Sequence, residues 1–338
     1  MPAQKTGIWL TLTVTLTLCS HTKARVAEHE SVIGQPAAKG QFTSLREPSG
    51  VTAMDKHTLI VIEDEARRAL RRLRVDSSNA SMFSFEEFEQ PTAKGFIQRQ
   101  LLAPLDDLEG IARVSDNRFF IIGSHENASR GAHPAREKIV MLTRDGDDIV
   151  SADLRRDLFD QLSQHYPELA KIVDGSRKGK RRALNIEALA FDRKRQQLLI
   201  GLRTPLLDDN AIIISLRNPI NYIEGSEPEF TDSMHGIDLD GDGIRAMAYD
   251  DRSDTLLVIS KPETGGKNRS RLWTLVPTMN QDPVRYKSAD KDLFKDVEGL
   301  TPFGNGVFFV RDNGGSSRQN DDDQWFILER PQLRLDNK

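Results

Sequence analysis

The sequence has almost no cysteine: Cys19 is the only one in 338 residues. A disulfide framework and a cysteine-ligated zinc site are therefore excluded as the basis of the fold. Neither sign of charge dominates, because 47 lysine and arginine residues balance 51 aspartate and glutamate residues, for a formal net charge of −4. The basic run at 177–182 is short and typical of a solvated loop, so we expect no nucleic-acid partner.

The common enzyme motifs are also missing. The sequence contains no HExxH zinc motif, no Walker A phosphate loop, no GxSxG nucleophile elbow and no GxGxxG after a predicted strand. The acidic stretch DLDGDG (238–243) opens like a calcium-binding loop, but Tyr249 stands at the twelfth position, where such a loop needs glutamate. This stretch favours a tight acidic turn that leads into a strand.

One apolar run stands out at the N-terminus. Lys5 precedes the apolar residues 7–19, and the small residue Ala24 follows them. This order is typical of a secretory signal, and the run is shorter than the roughly 20 residues of a membrane-spanning helix. We therefore predict a signal peptide over 1–24, a linker over 25–40, and an exported bacterial protein, periplasmic or secreted, with no membrane span after cleavage. An uncleaved anchor is the alternative.

Short β-branched and aromatic runs bounded by turn residues dominate the rest of the chain. Five segments repeat one pattern of strand, tight turn and hydrophobic strand, beginning at 49, 109, 187, 245 and 298, so that the spacings are 60, 78, 58 and 53. A four-stranded propeller blade takes roughly 40–50 residues plus loops. The repeat predicts an all-β protein, a single five-bladed β-propeller domain over 41–338, with six blades as the alternative.

Two further features complete this architecture. The stretch 153–175 has helical spacing of apolar residues and ends in glycine, which predicts one helical insertion in the longest interval. The last repeat lacks a fourth strand, while the strand-like stretch 41–48 precedes the first repeat. We predict that an N-terminal strand completes the last blade and closes the ring, which removes an exposed sheet edge.

The repeat also places charged side chains at one end of the central channel. The residues that open the first strand of each repeat are Ser49, Glu109, Glu187, Arg245 and Glu298. Two residues earlier on the same strand face come Glu47, Asp107, Asn185, Gly243 and Asp296. The antiparallel second strands return to this end with Asp64, His125, Arg203, Lys261 and Asp312. Long polar loops leave the same face, which is where binding sites on rigid scaffolds usually lie.

These residues support several interpretations. As a ligand-binding set we predict Glu109, His125, Glu187, Arg203, Arg245, Lys261, Glu298 and Asp312. A carboxylate set that could hold a cation, with Ca²⁺ as the candidate cofactor, is Glu109, Glu187, Glu298, Asp107 and Asp296. If the protein is catalytic, the candidates are His125, Glu109 and Glu187. Alternatively, Glu187 with Arg203 and Glu109 with His125 form cross-strand ion pairs that only hold the blades together.

The motifs DLEGIAR…FFIIGSHE, LNIEALAF…LLIGLRTPLLDDNAIII, LDLDGDGIRAMAYD and VEGLTPF…VRDNG resemble the bacterial family of domains of unknown function DUF3616, over roughly residues 100–315. The resemblance implies a propeller-like fold, without an assigned activity. That family is distantly similar to exported esterase-like phytase propellers, whose name implies calcium-assisted phosphate ester hydrolysis. Ala188 stands where two other motifs have glycine, so the resemblance leaves a close backbone approach in that repeat open.

Three functions remain open at this level. The first is a ligand-binding or scaffold propeller that uses the charged channel mouth, with a small anionic ligand or a protein as partner. The second is a calcium-assisted hydrolase of phosphate or carboxylic esters, in which Arg203, Arg245 and Lys261 neutralise the anionic group. The third is a protein–protein interaction module. In each case we expect a monomer.

Overall fold

The computed structural model describes residues 31–42, 45, 47–64, 70–75, 85–89, 105–126, 134–146, 148–178, 184–262, 270–312 and 323–333. The predicted signal peptide, 1–24, lies outside these residues. No helix in the described ranges is long and apolar enough to cross a membrane.

The described strands form five sheets, and each sheet is one blade of a five-bladed propeller. Blade 1 consists of β3 (Pro48–Ala53), β4 (Thr58–Glu63), β5 (Leu70–Val75) and β6 (Phe85–Glu89). Blade 2 consists of β7 (Leu108–Arg113), β8 (Arg118–Gly123), β9 (Ile139–Asp145) and β10 (Asp148–Arg155). Blade 3 consists of β11 (Asn185–Asp192), β12 (Gln197–Leu207), β13 (Asn210–Leu216) and β14 (His235–Ile237).

The last two blades contain strands from the N-terminal part of the chain. Blade 4 consists of β15 (Gly243–Asp250), β16 (Thr255–Lys261), β17 (Arg271–Leu275) and β18 (Val284–Ser288), and β1 (Ser31–Ile33) pairs parallel with β18. Blade 5 consists of β19 (Val297–Phe303), β20 (Gly306–Arg311), β21 (Trp325–Glu329) and β2 (Ala38–Gly40). The five-bladed, all-β prediction is confirmed.

The N-terminal strand closes the ring, as predicted, but it lies upstream of the stretch 41–48. β2 pairs antiparallel with β21, and the side-chain amide oxygen of Gln324 accepts a hydrogen bond from the Phe42 backbone N–H, at 2.9 Å. Gly40 is needed in this strand, because a Cβ there would lie 2.8 Å from the Trp325 ring. The predicted boundary at residue 41, with a linker over 25–40, is therefore wrong at its C-terminal end: β1 and β2 already belong to blades 4 and 5.

The blades pack around a common axis through their first strands. Each of β3, β7, β11, β15 and β19 contacts the next, and β19 contacts β3 to complete the circle. The second strands are largely apolar on both faces because each is covered by a blade on either side; β4 and β8 are almost entirely buried. Five hydrophobic clusters fill the spaces between and within the blades.

The predicted helical insertion lies between blades 2 and 3, but it is two helices that begin later than residue 153. Strand β10 continues to Arg155; α1 then covers Leu158–His165 and α2 covers Pro167–Lys178. The break falls at Pro167, which lacks an N–H and disfavours helical geometry in the residue before it. Apolar residues spaced by four, Leu158 with Leu162 and Leu169 with Val173, face the core between blades 2 and 3. A short helix, α3 (Pro219–Ile223), lies in the loop before β14.

Candidate functional site

A β-bulge in each first strand aims one residue at the channel mouth. The bulged residues, which we call the charged ring, are Ser49, Glu109, Glu187, Arg245 and Glu298. Each is skipped in the pairing with the second strand. A bulge leaves one residue without a ladder partner and re-aims its side chain. The recurring acidic step in the sequence is therefore the signature of this bulge.

A small residue follows each ring residue and lets the first strands approach closely. A Cβ on Gly110 would lie 2.9 Å from the backbone N of Leu189 in the next blade. Ala188 is tolerated in blade 3 because it pairs with Gly201 across the sheet. The space left at this level of the channel is only about 10 Å³, roughly one water molecule. The ring is thus a floor that closes the channel.

Arg245 lies at the centre of the ring. Its Nη1 is 2.5 Å from Glu187 Oε2 and 3.4 Å from Glu109 Oε2, and its Nη2 contacts Glu298 Oε2. Burial opposes the charge, but the carboxylates of Glu187 and Glu109 together raise the pKa of Arg245 above its usual value. One buried guanidinium therefore ties together carboxylates from blades 2, 3 and 5.

Two further cations stand beside Arg245, with unequal partners. Arg203 Nη1 donates to Glu187 Oε1 at 2.7 Å, which confirms the predicted cross-strand pair. Lys261 Nζ is 3.8 Å from Glu298 Oε1, a long contact for a side chain that is only 15% exposed. Burial, with the nearby charges of Arg245 and Arg203, lowers the pKa of Lys261. The basic side of the mouth thus holds an ammonium group that is only partly neutralised.

The pKa values of Glu187 and Glu109 shift in opposite directions. Burial acts to raise the pKa of Glu187, but Arg245 and Arg203 outweigh it and hold the pKa below its usual value. Burial raises the pKa of Glu109 well above its usual value, and the single long contact to Arg245 does not offset it. Glu109 is therefore the least compensated carboxyl of the ring.

A pair of carboxyl groups lies beside Glu109 where blades 1 and 2 meet. Burial, and then the charge and hydrogen bond of Asp107, raise the pKa of Asp64 to about 7. Asp107 also accepts hydrogen bonds from the Ser124 hydroxyl and, at 3.0 Å, from Arg136 Nη1. A carboxyl whose pKa is raised this far can donate a hydrogen bond to a neighbouring carboxylate.

His125 is not the partner of Glu109, so that predicted ion pair is wrong. Its Nδ1 lies 2.9 Å from the Gly123 carbonyl oxygen, and the side chain is buried. Burial lowers the pKa of His125 to about 4, so the imidazole is neutral at pH 7 and cannot pair as a cation. A base this weak is also poorly suited to general-base catalysis at neutral pH.

The predicted carboxylate set does not form a metal site among the described residues. No group of three or more His, Cys, Asp or Glu side chains there is arranged to hold a metal ion. The guanidinium of Arg245 stands between the three ring glutamates, where a cation would have to bind. Of the other predicted ligands, Asp107 pairs with Asp64 and Arg136, and Asp296 lies near Lys261.

Asp312 lies at the blade 5 side of the mouth. Its backbone N–H donates to the Asp296 carbonyl at 3.0 Å, and its charge contributes to the raised pKa of Arg245. The ring therefore brings together Glu109, Glu187, Glu298, Arg203 and Arg245 by direct contact, with Lys261 and Asp312 close by, and leaves His125 in a separate buried position.

The acidic stretch 238–243 is a turn, as the sequence favours. Asp240 and Gly241 adopt left-handed conformations (φ 59° and 76°), and Asp242 is buried. The Asp242 carboxylate accepts 2.7 Å hydrogen bonds from the Ser260 hydroxyl and from Arg271 Nη1. The Asp242 carboxylate is thus already hydrogen-bonded to donors of the protein itself.

Asp64, Ser124 and Arg136 are mouth residues to which the sequence assigned no role. The repeat places Asp64 at the end of a second strand, which is a usable signal, but its partner Asp107 belongs to the next blade. Arg136 lies outside the repeat pattern, just before β9. Contacts between different blades are therefore the part of the site that a repeat pattern does not contain.

Residues 143–306 of the chain match the model of the family described as "Protein of unknown function (DUF3616)". No curated protein matches the sequence. Solved structures of similar shape include a GH43 β-1,3-galactosidase with galactodeoxynojirimycin, at 11% identity and a TM-score of 0.47, over 87% of this chain and 94% of that chain. Another is the GH43B protein of a Bacteroides ovatus xyloglucan PUL, at 10% identity and a TM-score of 0.46, over 87% of this chain and 53% of the other.

Proposed function

We propose that this protein is a ligand-binding β-propeller whose channel mouth takes a small anionic ligand that also carries hydroxyl groups. The observation that carries the proposal is Lys261, a mostly buried ammonium group whose nearest carboxylate among the described residues, that of Glu298, lies at 3.8 Å. A charge that has left water without a close partner costs free energy, which an incoming anion would recover.

The charge of the mouth is separated between its two sides. Three cations, Arg203, Arg245 and Lys261, lie against two carboxylates, Glu187 and Glu298, on the side of blades 3 to 5. On the side of blades 1 and 2, the carboxyls of Asp64, Asp107 and Glu109 predominate.

Each side of the mouth suits a different part of such a ligand. An anionic group fits the basic side. Hydroxyl groups of the ligand fit Asp64 and Glu109, the carboxyls with raised pKa. A protonated carboxyl can both donate a hydrogen bond to a hydroxyl and accept one from it. The proposed ligand is thus oriented across the mouth.

Calorimetric titration with glycerol 3-phosphate, inorganic phosphate and glycerol tests this proposal. We expect glycerol 3-phosphate to bind most tightly of the three, because it alone has both kinds of group. Lys261→Met should weaken its binding about tenfold, since a hydrogen bond to a charged group contributes about 1.5–3 kcal/mol. The exposed Lys291, in the loop before β19, provides the control Lys291→Met, which should bind like the wild type. Absence of saturable binding at millimolar concentration, or equal loss in both variants, would refute the proposal.

Ester hydrolysis is a second candidate, favoured by the Asp64–Asp107 pair alone. A carboxyl whose pKa is raised to about 7 suits general acid–base work at neutral pH. Turnover of 4-nitrophenyl phosphate and 4-nitrophenyl acetate should then depend on pH around 7 and fall about 100-fold or more in Asp64→Asn. Folded protein without turnover of either ester, with or without added calcium, would eliminate this candidate.

We also propose that the protein is exported, on the basis of the signal pattern in residues 1–24. Mass spectrometry of the protein recovered outside the cytoplasm should give a mature N-terminus near Ala24. An intact Met1 in a soluble cytoplasmic fraction would contradict export.

A further inference from the structure

A cavity of about 380 Å³ opens at the other end of the channel, beneath the turns that join the first and second strands. Its floor is apolar and takes one residue from each blade: Val51, Ile111, Leu189, Met247 and Leu300. Each of them lies two positions after a charged-ring residue. The charged ring leaves only about 10 Å³ of open space between this cavity and the channel mouth. The cavity and the mouth are therefore two separate sites.

The wall of this cavity carries an excess of positive charge. Its cationic residues are Lys56, Arg113, Arg193, Arg252 and Arg330. Three aspartates line the same cavity, so the formal balance is five minus three, or +2. An apolar floor beneath a cationic wall is typical of a site for organic anions.

The aspartates neutralise only part of this charge. Arg330 makes two hydrogen bonds to Asp250, at 2.6 and 2.5 Å, and Arg193 pairs with Asp251. Arg113 makes no ion pair with a described carboxylate; its Nη1 donates to the carbonyl oxygen of Met54, at 2.5 Å. The guanidinium of Arg113 is therefore half-buried against the cavity with a neutral partner.

The charge of Arg113 acts on Arg193 across the junction of blades 2 and 3. Burial lowers the pKa of Arg113. Burial, and next the charge of Arg113, lower the pKa of Arg193. Two guanidinium groups that repel one another at a cavity wall are stabilised when an anion binds between them, because the anion contributes an attraction to both.

We propose that this cavity binds a small organic anion, a carboxylate or phosphate compound with an apolar body. Arg113 and Arg193 hold the anionic group, and the apolar body rests on the five-residue floor. The cavity volume lies near the lower end of the roughly 300–1,000 Å³ of small-molecule pockets, which suits a molecule with one ring or a short alkyl chain. The ligand enters from the side of the short turns, opposite to the long loops.

Four probes in calorimetric titrations of the full-length protein separate the parts of this proposal. Benzoate and phenylphosphonate carry both an anion and an apolar body, benzyl alcohol carries only the apolar body, and inorganic phosphate only the anion. We expect saturable binding of at least one of the first two, about tenfold or more tighter than the last two. The preference between benzoate and phenylphosphonate identifies the head group.

Matched arginine variants locate the binding. Arg113→Met and Arg193→Met should each weaken the preferred probe about tenfold, as expected for one lost charge-assisted contact. Arg217→Met, at an exposed position after β13, should leave the affinity unchanged. Thermal melts show whether each variant is folded. If Arg113→Met does not fold, the affinity of Arg193→Met alone tests whether the arginines hold the anionic group. Benzoate and phenylphosphonate binding no better than benzyl alcohol, or unchanged affinity in the folded arginine variants, would overturn the proposal.

Discussion

The strongest prediction concerns Arg245, the only buried group among the described residues that links carboxylates from three blades. Arg245→Met keeps most of the apolar length of the side chain but removes its contacts to Glu109, Glu187 and Glu298. Breaking one buried ion pair by removing a partner costs about 3–5 kcal/mol. We expect a loss in that range, because the remaining carboxyls can take up protons and so limit the repulsion.

The loss should depend on pH in a defined direction. Arg245 is the main charge that opposes the effect of burial on Glu109 and Glu187, so its removal should raise the folded-state pKa of both carboxyls relative to the wild type. A buried carboxyl with a raised pKa does not reduce the free energy of unfolding below its unfolded pKa. It reduces that free energy as pH rises through the folded pKa. The variant should therefore lose more stability relative to the wild type at pH 8 than at pH 5.

Urea unfolding and thermal melting at both pH values provide the measurement. A loss of about 3–5 kcal/mol corresponds to a fall in Tm of roughly 6–20 °C, at about 2–4 °C per kcal/mol for large domains. Arg217→Met, an exposed control, should change the free energy of unfolding by less than about 0.5 kcal/mol. A loss below about 1 kcal/mol in Arg245→Met, or a larger loss at pH 5 than at pH 8, would refute the reasoning.

Two other predictions test the strand approach and the carboxyl pair. Gly243→Ala should destabilise the protein by more than about 2 kcal/mol, because its Cβ would lie 2.0 Å from the Arg203 carbonyl oxygen. Gly236→Ala is the control and should be tolerated, because the nearest atom to its Cβ would be 3.5 Å away. Equal urea midpoints for the two variants would contradict this prediction. The wild type should lose stability from pH 6 to pH 8, because burial raises the folded pKa of Asp64 to about 7. The contribution of the protonated Asp64 to the free energy of unfolding is lost as pH rises through that value. Asp64→Asn should melt with a smaller dependence on pH, and the exposed Asp160→Asn should behave like the wild type; an unchanged slope in Asp64→Asn would count against the assignment.

The family that residues 143–306 match is described only as of unknown function, so the two proposed sites carry the functional argument. They differ in chemistry and position. The described residues of the channel mouth are charged and include carboxyls with raised pKa, whereas the opposite cavity combines an apolar floor with arginines. The two titration series therefore succeed or fail separately.

The sequence by itself determined the propeller and the position of the ring, and it favoured five blades over six. A five-fold repeat of strand pairs contains this information because each blade has the same local hydrogen bonding, and the bulge recurs in all five blades, with a glutamate at it in three. The cross-strand pair of Arg203 with Glu187 also followed from the sequence, since both residues belong to one hairpin and its register fixes their distance.

Only the tertiary structure decided how different blades combine. In the structure, Arg245 lies between three glutamates, and Asp64 forms a hydrogen bond with Asp107. His125 is buried as a neutral imidazole, and β2 pairs with β21 in blade 5. The tertiary structure also opened the arginine-lined cavity beneath the short turns, where the sequence indicated no site. Repeat periodicity describes one blade at a time, whereas these contacts depend on the angle and distance between blades, which close packing around the axis sets.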